Sequence, residues 1–174
     1  MRKLKNSELG RISVDNFKLS QKTPIIVVLD NVRSAFNVGS IFRTSDAFRI
    51  EKLYLCGITP APPSNEIRKS ALGSTDSVAW EKQEKTEDVI SKLKKDGVRI
   101  LAIEQTDTSC FLNDYKINNK RTALVFGHEV FGVSQSIIDV CDDSIMIPQI
   151  GTKHSLNVSV TVGVVLWDFW KKTT

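Results

Sequence analysis

Three short stretches hold most of the residues able to do chemistry in this chain. "DNVRSAFNVGSIFRTSDAF" carries Asn31, Arg33, Asn37 and Arg43, "GHEVFGVS" sets Glu129 between Gly127 and Gly132, and "PQIGTKHSLN" closes on Ser155, Leu156 and Asn157. The arginines present forks of donors that suit phosphate oxygens. The amides and the hydroxyl can donate or accept around a polar substrate. Each stretch also has a plain structural reading. A helix starting at Val38 would take Asn37 as its N-cap and leave the arginines in solvent, Gly127 and Gly132 permit tight turns, and Pro148 with Gly151 ends a strand and bends the chain. "GHEVFGVS" is neither the G-x-G-x-x-G dinucleotide fingerprint nor a Walker A loop, so NAD and ATP lose their usual support.

What links the three stretches is the element in front of each. Near-continuous apolar runs at 25–29, 53–56, 98–103, 123–126 and 145–147 read as strands covered on both faces. Between them, 86–96 has Val89, Ile90 and Leu93 at helical spacing and stops at Gly97, and Ser134 can cap a helix holding Ile137, Ile138 and Cys141. Strand alternating with helix predicts an α/β domain with a mainly parallel sheet and helices on both faces. Ligands in such sheets sit beyond the carboxyl ends of the strands, where all three stretches fall. The Pro- and Ser-rich segment 59–75 reads as a long functional or mobile loop.

The chain has 174 residues, 24 Lys and Arg against 20 Asp and Glu, and a net charge of +4. That is a mild lean toward polyanions. Cys56, Cys110 and Cys141 lack C-x-x-C spacing and read as reduced, mostly buried thiols. His128 and His154 lack metal-ligand spacing, so no metal is expected. With no apolar run near the roughly 20 residues that cross a bilayer, a soluble cytoplasmic protein is expected.

"NVGSIFRTSDAF", "LVFGHEVFGVS" and "IPQIGTKHSLNVSV", in this order and at these separations, resemble the three motifs of the SpoU/TrmH family of SPOUT RNA methyltransferases. "ALGSTDSV" and "LAIEQT" resemble lesser blocks of the same family. The resemblance implies an α/β fold over 24–174 whose C-terminal segment is threaded as a deep trefoil knot, after a basic N-terminal arm over 1–23. It implies a homodimer, formed through the C-terminal helix, that transfers a methyl group from S-adenosylmethionine to a ribose 2′-hydroxyl of tRNA or rRNA, with tRNA favoured. Glu104, Gly127, Ile147 and Leu156 would hold the cofactor. Asn37, Arg43, Glu129, Ser155 and Asn157 would form the catalytic set, and Arg11, Arg33, Arg43, Arg68 and Lys69 would contact RNA. Arginine normally stays protonated, so Arg43 is read as binding the target phosphate and stabilising the developing alkoxide rather than as a literal base. Arg49, His128, Thr161 and Val162 depart from the usual pattern, Arg49 standing where many members have glycine. A catalytically idle RNA-binding protein and an RNA base methyltransferase are the competing readings.

The last motif runs into a conflict. Val158, Val160, Val162 and Val164 alternate with smaller residues in the period of a strand. Val158, Val162, Val165, Leu166 and Phe169 also form one helical stripe. The family resemblance selects the helix.

Overall fold

The computed structural model describes residues 1–117 and 121–173. Seven strands form one sheet: β1 (Thr23–Asp30), β2 (Ile50–Cys56), β3 (Trp80–Gln83), β4 (Arg99–Ile103), β5 (Cys110–Phe111), β6 (Thr122–Phe126) and β7 (Asp143–Met146). Their order is β3-β2-β1-β6-β4-β7-β5, and every pairing is parallel. Among the described residues, seven α-helices cover it: α1 (Val14–Leu19), α2 (Ala35–Ala47), α3 (Asn65–Ala71), α4 (Ser74–Ser77), α5 (Thr86–Lys95), α6 (Gln135–Ile138) and α7 (Val158–Thr173).

The apolar runs are continuous because both faces are buried. In β1, Ile25, Val27 and Leu29 join a core that includes Val38, Ile41 and Phe42 of α2 and Val162, Val165 and Phe169 of α7. Ile26 and Val28 join a second core with Val89, Ile90 and Leu93 of α5 and Ile137 of α6. Each such side chain contributes roughly 1.5–3 kcal/mol of transfer free energy. Phe17 of α1 reaches the first core from the N-terminal stretch.

The C-terminal segment is a helix, and its buried residues are Val158, Val162, Val165, Leu166 and Phe169, the expected stripe. Burial against α2 and the sheet overrides the weak strand preference of the valines. The segment 59–75 is not one long loop. Ser64 accepts from Ile67 N and starts α3, and α4 follows. The strands β3 and β5 were not expected, both being short and only partly apolar. Ile147 lies past the end of β7. The helix after Ser134 is four residues long, so Cys141 falls beyond it, and the Ser134 hydroxyl bonds Asp30 rather than capping. Only Cys56 is fully buried; Cys110 and Cys141 are half-buried. Arg49 follows α2 at φ +46°, a left-handed conformation that glycine adopts more easily.

Because all strands run parallel, the segments after β1, β4, β6 and β7 emerge at one edge of the sheet. They are the segments that carry the polar residues.

Gly39 lets α2 lie against α3: a β-carbon there would overlap Ser70 Oγ and the Ile67 carbonyl. Gly39→Ala is expected to lower stability by about 1–3 kcal/mol in urea unfolding, since α3 must move away. An unchanged midpoint would contradict this packing.

Candidate active site

Glu129 follows β6 and reaches across to the segment after β1. Its Oε1 accepts from Ser34 N at 2.9 Å and from Asn37 Nδ2 at 3.0 Å, and its Oε2 accepts from Arg33 N at 2.9 Å. Burial pushes its carboxyl up, but these donors together pull it down to about 2, well below the ordinary 4.5. Asn37 does not cap the helix as its sequence context suggests. Ser34 does, accepting from Asn37 N, so α2 begins at Ala35 and Asn37 sits within its first turn. The freed Asn37 side chain faces two ways: Nδ2 donates to Glu129, and Oδ1 accepts from Asn157 Nδ2 at 3.2 Å. Asn157 in turn starts α7, its Oδ1 accepting from Ser159 N at 2.9 Å. Glu129, Asn37 and Asn157 therefore tie three loops into one hydrogen-bonded row.

Two further carboxylates hold the same loop after β6. Glu104, at the end of β4, accepts from Val133 N at 2.9 Å and from Gln105 N at 2.8 Å. Asp30, at the end of β1 and buried, accepts from Thr86 Oγ1 at 2.6 Å and from Ser134 through both its amide and hydroxyl. Within the loop, His128 and Gly132 exchange two backbone hydrogen bonds. That fold-back brings Gly127 so close to Gly132 that a β-carbon on Gly127 would overlap the Gly132 backbone. A β-carbon on Gly132, at φ +68°, would overlap the Glu104 carboxylate.

These loops surround a cleft of about 600 Å³, within the usual range for small-molecule sites. Glu104, Gly127, Glu129, Ile147, Ser155, Leu156 and Asn157 all line it. Its floor is apolar, from Ile103, Phe126 and Ile145, and its rim carries Gln105, Gln149 and His154. Gln105 Nε2 donates to the His154 carbonyl at 2.6 Å, joining the loops after β4 and β7. The exposed Ser155 hydroxyl has no partner among the described residues. Asn37 stands behind the cleft, supporting Glu129 and Asn157.

The arginines lie elsewhere. Arg43 is exposed on α2, outside the cleft, and no hydrogen bond holds its guanidinium among the described residues. The Arg33 side chain is exposed, and only its backbone amide joins the site. Arg68 and Lys69 lie exposed on α3, and Arg11 is exposed ahead of α1. Sequence reasoning missed Asp30, which reads as an ordinary strand end, and Gln105, whose only signal was its place just after a strand.

Residues 24–167 match the model of the SpoU rRNA Methylase family, and the chain belongs to that family. It is 33% identical over 147 residues to a tRNA (guanosine(18)-2′-O)-methyltransferase from Aquifex aeolicus, covering 83% of this chain and 67% of that one. It is 28% identical over 151 residues to the Escherichia coli protein of the same name, covering 86% of this chain. The chain spans only 65% of the length of the Escherichia coli relative. Among solved structures, an AdoMet-bound rRNA methyltransferase from Sinorhizobium meliloti superposes with a TM-score of 0.82 at 28% identity, over 88% of this chain and 58% of that one.

Because the Glu129 carboxyl lies lower in the folded state than in the unfolded, its contribution is fully present above about pH 4.5 and is lost as pH falls toward about 2. Glu129→Gln is expected to remove that part of the acid dependence of stability. It is also expected to cost about 1–2 kcal/mol at neutral pH, because the new amide nitrogen cannot accept from the donors it faces. Acid unfolding curves that coincide for the two proteins would contradict the arrangement.

Proposed function

We propose that this chain methylates a ribose 2′-hydroxyl in structured RNA, tRNA rather than rRNA, with S-adenosylmethionine as donor. The observation that carries the reading is the Glu129–Asn37–Asn157 row set against a cleft of cofactor size. The donor set fits the cofactor: an apolar floor suits the adenine, and Glu104, Gln105 and the backbone around Gly127, Ile147 and Leu156 suit its polar parts. Bound there, the cofactor supplies an electrophilic methyl group on a sulfonium.

The chain's own residues then have to position a neutral hydroxyl and stabilise the oxygen as it loses its proton. Ser155 and Asn157, at the cleft wall, are the groups to orient the ribose. Glu129, its oxygens already committed to three donors, serves as a positioning group that keeps Asn37 and Asn157 in place. Arg43 is the proposed donor to the target phosphate and the developing alkoxide. It lies outside its own cleft, so the reading requires the bound RNA or a second copy of the chain to bring it to the reacting oxygen.

A homodimer through α7 belongs to the same reading. Val160, Val164 and Trp167 form an exposed apolar stripe opposite the buried one, and Trp167 is 53% exposed. The knotted threading of the C-terminal segment belongs to the same reading. Residues 24–174 would be the catalytic domain, acting in the cytoplasm. The arm over 1–23 with Arg11, together with Arg33, Arg68 and Lys69, would hold the RNA backbone.

Mass spectrometry of nucleosides from unmodified total tRNA and rRNA, incubated with the protein and S-adenosylmethionine, is expected to show 2′-O-methyl nucleosides from tRNA. Arg43→Ala is expected to lower kcat about a hundredfold or more. Base-methylated products, or no methylation with either RNA, would overturn the reading. Trp167→Glu is expected to shift the mass measured by light scattering from dimer to monomer, and a wild-type chain that is monomeric would overturn the dimer.

A further inference from the structure

The loop after β6 carries a side chain that nothing in the fold requires. Phe131 is 82% exposed and Val130 is 68% exposed, at the tip of the turn between His128 and Gly132. An aromatic ring left in water at a turn forgoes burial worth as much as that of a core residue. The tip is nevertheless tightly held. His128 and Gly132 exchange backbone hydrogen bonds at 2.9 and 2.8 Å, and Val130 N donates to His128 Nδ1 at 2.9 Å. The His128 ring lies 4.9 Å from the Phe131 ring. Glu129, inside the same turn, is anchored to Arg33, Ser34 and Asn37. Phe131 and His128 both line the cleft that also contains Ser155 and Asn157.

We propose that Phe131 is a stacking platform for an unpaired base of the substrate RNA, one that places the target ribose against Ser155 and Asn157. This deepens the methyltransferase reading and rests on it. Every nucleobase has a π-face, so a fixed, solvent-facing aromatic ring accepts one without reading its hydrogen-bonding edge. A base can reach such a ring only when it is free of a helix, because sequence-tolerant stacking on aromatic residues needs an unstacked, splayed-out nucleotide. The substrate is therefore a nucleotide in a loop or single-stranded segment, not one within a base-paired stem. Val130 extends the apolar surface beside the ring, and His128 supports it from behind.

The test compares the wild-type chain with Phe131→Ala, Phe131→Leu and Phe131→Trp. Methylation of unmodified total tRNA is measured together with S-adenosylmethionine affinity by calorimetry and mass by light scattering. Phe131→Ala is expected to raise the KM for tRNA roughly ten- to hundredfold, the range of one lost base–aromatic stack. Phe131→Leu should fail to rescue it, Phe131→Trp should restore it, and cofactor affinity and mass should not change. Full rescue by Phe131→Leu would overturn stacking. Weakened cofactor binding in Phe131→Ala would assign the ring to the cofactor instead, and a change of mass would assign it to a contact between copies; either overturns the proposal. Fluorescence keeps this separate from the methyltransferase reading. A single-stranded oligoribonucleotide is expected to quench Phe131→Trp more than the wild type, whether or not any RNA is methylated, and equal quenching would overturn the proposal.

Discussion

The site depends on one carboxylate that is asked to hold two loops at once. Glu129 departs from β6, yet its partners are Arg33, Ser34 and Asn37 after β1. A carboxylate in that position must find several donors or pay the desolvation of a partly buried charge. Three donors supplied by the backbone turn and by α2 hold its ionised form strongly enough to bring the carboxyl to about 2. The consequence is geometric. With Asn37 Nδ2 committed to Glu129, its Oδ1 accepts from Asn157, so the start of α7 is tied to an interaction that begins at the loop after β6.

Parallel strands make this arrangement possible. All the carboxyl ends face one edge, so loops far apart in sequence meet there. Asp30 and Glu104 leave two different strands and hold the single segment from Gly127 to Ser134, from which Glu129 reaches back to the loop after β1. Gly127 and Gly132 let that segment fold back without a side chain in the way. Fixing the loops in the fold itself, before any ligand arrives, is what a catalytic site needs if its hydrogen bonds are not to be rebuilt at each turnover.

Much of this was legible in the residues. The apolar runs announced the sheet, and Val162, Val165 and Phe169 announced the buried stripe of α7 once helical spacing was weighed against alternation. The three polar stretches, read after their strands, located Glu129, Ser155 and Asn157 on one cleft. Asn37 was found for the wrong local reason, because Ser34 offers an equally good cap three residues earlier and only the position of Glu129 decides between them. Asp30 and Gln105 were not legible, since their roles come from partners 49 to 104 positions away. Arg43 marks the opposite limit. Its motif is plain in sequence, but a single chain leaves it in solvent with no hydrogen-bond partner among the described residues.

If the row from Glu129 through Asn37 to Asn157 acts as one unit in methyl transfer, damage at its two ends should not accumulate. Single-turnover methylation of unmodified tRNA can be measured for the wild type, Glu129→Gln, Asn157→Ala and the double variant. The account predicts that the double variant is slower than the worse single variant by no more than about twofold, as for residues that work as a unit. Losses that multiply, or a wild-type chain that transfers no methyl group to RNA, would contradict it.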